Sequence, residues 1–244
     1  LIRRQRQMCI RDRRRKMTYL EHVGYRGFDG VVIACVDFED PEVAQLVASD
    51  IPVVTIDHIF NNRIAVMSDN VKGMQSLLRY IYSCGHRRIA YIHGHPSSVT
   101  GSRLSSFYKT AEELGLKVPD EYVLEAGYRD TDGAAAATQQ LLALPCPPTC
   151  ILYPDDFACL GGMNILREKG LRIPEDISIA GYDGLRIGRH MDPKLTTLKQ
   201  DTQKLGGYAA EKLISLIEHP KTSVPEILVV EGEVYEGRSV GNIG

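Results

Sequence analysis

From residue 17 onward, short apolar runs alternate with longer stretches in which apolar positions return every three or four residues. The runs Val31–Val36, Val53–Ile56, Ile64–Met67, Ile89–His93, Cys150–Tyr153, Ile177–Gly181 and Ile227–Val230 are continuous and largely β-branched, the pattern of strands covered on both faces. Between them, Asp69–Ser83 sets Val71, Met74, Leu77, Leu78 and Ile81 on one helical face, and Arg103–Leu114 does so with Leu104, Phe107, Ala111 and Leu114. Gly133–Leu144, Phe157–Lys169 and Thr202–Glu218 also read as helices. Asp132 and Asp156 stand where N-caps are needed, and Gly85, Gly115 and Gly170 stand where helices must stop. Strand-like runs alternating with helices predict an α/β protein with parallel sheets flanked by helices.

Composition agrees with a globular chain of this kind. The 244 residues are 43% hydrophobic and 25% charged, enough for one large α/β unit or two lobes. No apolar run approaches the ~18–20 residues of a membrane span. No apolar stretch of the kind found in secretory leaders follows the N-terminal charges, so a leader is not expected. The formal net charge of −2 hides a split, because residues 1–16 carry seven Arg and one Lys against one Asp. The remaining 228 residues hold 21 basic and 30 acidic side chains, so affinity for nucleic acid is expected only from the tail. The six cysteines contain no C-x-x-C pair and mostly adjoin apolar residues, which predicts buried free thiols in a reducing compartment.

Catalytic and metal motifs are weak. No Walker A loop or G-x-G-x-x-G is found. Gly237-Arg238-Ser239-Val240-Gly241 matches G-x-S-x-G, but a nucleophile elbow needs a following helix and a downstream His, so the match reads as chance. His86, His93 and His95 lie close in sequence with no Cys, Asp or Glu nearby to complete a tetrahedral set, and turn histidines explain them better. Neither an enzyme, a metal nor a cofactor is expected.

Three segments carry more information. They are Gly85-His86-Arg87-Arg88-Ile89-Ala90-Tyr91-Ile92, the stretch from Gly170-Leu171-Arg172-Ile173-Pro174-Glu175-Asp176 to Ile179-Ala180-Gly181-Tyr182-Asp183, and Pro193-Lys194-Leu195-Thr196-Thr197-Leu198-Lys199-Gln200. In this order and spacing the chain, from about Tyr19 to Ser239, resembles the effector-binding core of the lactose-repressor/galactose-repressor (LacI/GalR) family of transcription regulators. The resemblance implies a two-lobed, type I periplasmic-binding-protein-like fold. It assigns 17–83 and 201–224 to an N-terminal lobe and 84–200 and 225–244 to a C-terminal lobe, with ligand bound between lobes at the carboxyl ends of parallel strands. By position, Asp69, Arg103, Tyr128, Asp155, Asp183 and Gln200 match the family's pocket. Carboxylates, an Arg fork, an amide and an aromatic face suit a sugar-like polyol. Asp155 stands where sugar-binding members often carry Asn.

Four of these residues, and Asp156 beside them, also have a plain structural reading. Asp69 and Asp156 suit helix caps, Asp183 and Arg103 an ion pair, and Tyr128 loop packing. The family pattern starts late here: the first strand of the N-terminal lobe, the helix-turn-helix and the hinge helix have no counterpart, and the basic residues 1–16 stand in their place. The expectation is therefore a cytoplasmic, sugar-responsive sensor core of a homodimeric repressor, reaching operator DNA only through a DNA-binding part not found in this sequence. The alternative is a sugar-binding protein of a transport system.

Overall fold

The computed structural model describes residues 17–244, and the basic segment 1–16 lies outside them. The chain divides into two compact units, one formed by residues up to Val66 together with Gly207–Ile227, the other by Met67–Gly206 and Leu228–Gly244. Residues 67–83 and 201–206, which the family resemblance assigns to the N-terminal lobe, fall in the second unit, and residues 225–227, which it assigns to the C-terminal lobe, fall in the first.

The first unit opens with α1 (Tyr19–Arg26), β1 (Val31–Ile33), α2 (Pro41–Ala48) and β2 (Val53–Ile56), and β3 (Ile64–Ser68) leads out of it. A capping box at Thr18 and Glu21 starts α1, and Asp40 caps α2 with Pro41 in its first turn. Strands β1, β2 and β3 pair in parallel, in a four-stranded sheet of order β1-β2-β3-β9, where β9 is Ile227–Val230. Val23, Ile33, Val43, Leu46, Val47 and Val53 form a core between this sheet and its helices.

The second unit is built on a six-stranded sheet of order β10-β8-β7-β6-β4-β5. Its strands are β4 (Ile89–His93), β5 (Val123–Glu125), β6 (Cys150–Leu152), β7 (Ser178–Asp183), β8 (Thr196–Lys199) and β10 (Glu233–Tyr235). All pairs are parallel except β10 with β8. Helices α3 (Asn70–Ser83), α4 (Ser98–Glu113), α5 (Thr131–Leu142) and α6 (Asp156–Glu168) flank it, and α7 (Thr202–Glu218) runs on into the first unit. One core, around Ile92, Ile151, Tyr153, Met163 and Ile179, lies on one side of the sheet; another, around Met74, Leu77, Phe107 and Tyr182, lies on the other. The sheet is buried on both faces, as the continuous apolar runs predict.

Several sequence expectations need correction. Asp130, not Asp132, caps α5 by accepting from the Gly133 amide. Asp155, not Asp156, caps α6. Helix α4 starts at Ser98, five residues before the predicted start, because the Ser97 hydroxyl accepts from the Thr100 amide. Among the described residues Cys35 and Cys146 are exposed rather than buried, while Cys150 and Cys159 are buried as expected.

Candidate functional site

In the second unit, the carboxyl ends of β3, β4, β6, β7 and β8 bring one group of polar side chains together, where open parallel sheets bind ligands. Arg103 is at its centre. The apolar face of α4 buries Phe107 and Ala111, and the same helix turns Arg103 inward until it is only 3% exposed. Its Nε donates to Asn70 Oδ1 at 2.8 Å, Nη1 donates to the Pro154 carbonyl at 3.0 Å, and Nη2 lies 3.5 Å from Asp183 Oδ1. The guanidinium stacks 3.5 Å above the centre of the Tyr182 ring.

Asp183 ends β7 with φ at +97°, a left-handed backbone uncommon for a residue with a side chain. Its Oδ1 also accepts from Gln200 Nε2 at 2.7 Å. Gln200, just past β8, accepts at Oε1 from the Ser68 hydroxyl at 2.8 Å. Asn70 Nδ2 donates to the Ser68 carbonyl at 3.2 Å. The result is a closed circuit, Ser68–Gln200–Asp183–Arg103–Asn70, in which each donor meets an acceptor and the guanidinium keeps further N–H groups beyond those bonds.

The sequence-predicted residues fall into two groups. Arg103, Asp183 and Gln200 are joined directly in the circuit, and Asp69 sits between two of its members. Asp69 caps α3, accepting from the Lys72 amide at 2.8 Å. Tyr128 stands beside the circuit, with its ring 5.8 Å from the Arg103 guanidinium and its hydroxyl 2.8 Å from Thr100 Oγ1. Gly94 leaves space for that ring, since a Cβ there would fall 2.2 Å from Tyr128 Cε2.

Asp155 follows Pro154, whose carbonyl Arg103 binds, and its own oxygens are engaged with backbone amides. It is 1% exposed, its Oδ1 accepts from the Phe157 and Ala158 amides at 2.8 and 2.9 Å, and its Oδ2 accepts from the Arg129 amide at 2.6 Å. Its lone pairs hold helix α6 and the turn after Tyr128, so it shapes the loop that carries Tyr128. The chance reading of G-x-S-x-G also fits the structure: buried Ser239 accepts from the Thr196 amide and donates to the Ile179 carbonyl.

Sequence reasoning missed Ser68, Asn70 and Tyr182 as site residues. Ser68 and Asn70 flank Asp69 directly, so they were available as neighbours of a marked position. Tyr182 reads as an ordinary apolar strand residue, and only the approach of α4 across the sheet makes its ring a platform for Arg103.

Comparison with known proteins points the same way. A family model described as a periplasmic binding protein-like domain matches residues 78–240. The probable HTH-type transcriptional repressor ExuR of Bacillus subtilis (strain 168) is 30% identical over 205 residues, covering 82% of this chain and 61% of that protein. The HTH-type transcriptional repressor PurR of Escherichia coli O139:H28 is 32% identical over 235 residues, covering 93% of this chain and 68% of PurR. Among solved structures, the complex of transcriptional regulator CelR with cellobiose is similar, with a TM-score of 0.80 at 25% identity over 91% of this chain and 71% of that one. The chain spans roughly two-thirds of the length of the curated relatives, from 61% to 68%.

Proposed function

The chain belongs to the LacI/GalR family of transcription regulators, and from that premise we propose that it senses a sugar-like effector at the Arg103–Asp183–Gln200 circuit and so controls operator binding by the complete regulator. The observation that carries this reading is the circuit itself. It places a carboxylate, an amide and a guanidinium with N–H groups to spare side by side at strand ends, the donor and acceptor set that vicinal hydroxyls need. Tyr128 offers a half-buried ring beside it, suited to the apolar face of a pyranose. The cellobiose complex of the similar regulator CelR supports a sugar-like effector.

The complete protein is then a cytoplasmic homodimer that reads DNA through a separate helix-turn-helix, with effector affinity and operator affinity linked reciprocally. It is a sensor rather than an enzyme. The transport-protein reading gains nothing from the repressors to which the chain is similar. Among the described residues no helix is long and apolar enough to cross a membrane.

A thermal-shift screen of sugars tests the proposal, because a ligand at 100 times its Kd adds about 2.7 kcal/mol to the folded state. At least one sugar is expected to raise the melting temperature of the wild-type chain, and Gln200→Ala is expected to abolish that rise. The full-length regulator should change its operator affinity with the same sugar. If no sugar shifts the wild type, or if Gln200→Ala responds like the wild type, the reading is wrong.

A further inference from the structure

Asp156 is the most deeply placed carboxyl group of the second unit, with 0% exposure. It is the first residue of α6, yet it caps nothing, because Asp155 performs that task. Its two oxygens instead hold the segment that follows Asp183. Oδ2 accepts from the Leu185 amide at 2.6 Å, and Oδ1 accepts from the Thr197 hydroxyl at 2.6 Å. The Thr197 oxygen in turn accepts from the Gly184 amide at 3.3 Å. Two consecutive amides beyond Asp183 are thus clasped, one directly and one through a hydroxyl on β8. Gly181 leaves the room for this, since a Cβ there would fall 2.3 Å from Asp156 Oδ1.

The clasp acts where the backbone most needs it. Asp183 at φ +97° and Gly184 at φ +68° form a turn that persists only when its surroundings fix it. That turn aims the Asp183 carboxylate at Gln200 and Arg103. We propose that Asp156 is a positioning residue for Asp183, acting through Thr197 and Leu185, and that its protonation loosens the Asp183 turn. The consequence for effector binding rests on the sugar-sensing reading above, whereas the positioning does not.

The chemistry supports a proton-sensitive clasp. Burial, first of all, pushes the Asp156 carboxyl up to about 7, against the lowering effect of the Thr197 and Leu185 hydrogen bonds. The ionisable groups facing it are Asp183 at the end of β7 and Asp155 on its own helix, both of which raise it further. Cys159, one turn along α6, is itself pushed up by burial and by both carboxyls. From the turn after β7 comes the Leu185 amide, and from β8 the Thr197 hydroxyl. A proton on Oδ2 would remove the acceptor of the Leu185 amide; a proton on Oδ1 would force the Thr197 hydroxyl to turn, and the Leu198 carbonyl lies 3.4 Å from it.

The test is a pH titration of the full chain by NMR, following the Gln200 side-chain amide and the Arg103 Nε–H between pH 5.5 and 8.5. It uses no effector, so its outcome is independent of the sugar screen. In the wild type both signals are expected to move with a midpoint near pH 7. Asp156→Asn should flatten that profile. Thr197→Val, which breaks the relay but keeps the carboxyl, should reduce the shift at least twofold, and Thr197→Ser should restore it. A flat wild-type profile overturns the proposal. So does an undiminished profile in Thr197→Val, which would mean that the Thr197 arm of the clasp carries none of the coupling to Asp183. Should Asp156→Asn fail to fold, the wild type and the two Thr197 variants still decide.

Discussion

Replacing Arg103 with Met removes the guanidinium while keeping most of the side-chain volume, so the cavity left behind is small. The loss is then mainly polar. Asn70 Oδ1 and the Pro154 carbonyl, both on buried residues, lose their donor, at about 1–3 kcal/mol each. Loss of the stack on Tyr182, with the charge 3.5 Å from the ring centre, adds about 1–2 kcal/mol. Against this, removing a cation that is only 3% exposed relieves a desolvation cost of several kcal/mol. The Asp183 side chain is 30% exposed and its pairing distance is 3.5 Å, so water replaces most of what that contact contributes. The net expectation is a destabilisation of about 2–3 kcal/mol, or roughly 4–12 °C in melting temperature for a chain of this size. Urea unfolding followed by tyrosine fluorescence is a suitable assay, since the chain has 12 Tyr and no Trp. Arg103→Lys should recover less than half of the loss, because an ammonium cannot reach Asn70 and Pro154 in the geometry of a fork. A shift below about 0.5 kcal/mol for Arg103→Met, or wild-type behaviour in Arg103→Lys, would show that the guanidinium does not hold the circuit.

Three further outcomes follow from the same geometry. Asp155→Ala should cost about 2–4 kcal/mol in urea unfolding, since it strips acceptors from the Phe157, Ala158 and Arg129 amides, and Asp155→Ser should recover only the cap. Gly94→Ala drives a methyl into the Tyr128 ring, so titration calorimetry with a sugar identified by the screen should show weaker binding and an altered Tyr128 environment. The Asp156 carboxyl, raised to about 7 by burial, makes the folded chain bind a proton that the unfolded chain releases near its ordinary value of 3.8. Its contribution to stability is therefore present below that value and is lost as pH rises through the window up to about 7, so the urea midpoint of Asp156→Asn should fall less over this range than that of the wild type.

Hydrophobic pattern made much of the fold legible. The predicted runs Val53–Ile56, Ile89–His93 and Ile227–Val230 are strands β2, β4 and β9 with the same ends; β2 and β4 are covered on both faces, as such runs require, whereas β9 leaves Ile227 and Val229 exposed. Strand β8 was not legible from its pattern. Thr196 and Thr197 are polar yet buried, at 0% and 3% exposure, because Ser239, Gly237 and Asp156 satisfy their polar atoms from distant parts of the chain. Strands β5 and β10 escaped for a different reason, being three residues long and partly exposed.

The site divides along the same line. Arg103, Asp183 and Gln200 are marked by their match in position to the family's pocket, which the resemblance supplies and residue pattern alone does not, and the structure joins the three in one circuit. The roles of Asp155 and Asp156 could not be separated locally. Both are acidic, adjacent and at the start of a helix, and the choice of cap depends on which one finds the Arg129 amide and which one finds Leu185 and Thr197. The sequence by itself determined the alternation of strands and helices, because burial demands a period that can be read along the chain. Only the tertiary structure decided which carboxylate caps the helix and which is buried to hold the Asp183 turn, because a hydrogen-bond partner 26 to 41 positions away leaves no mark on the residues beside it.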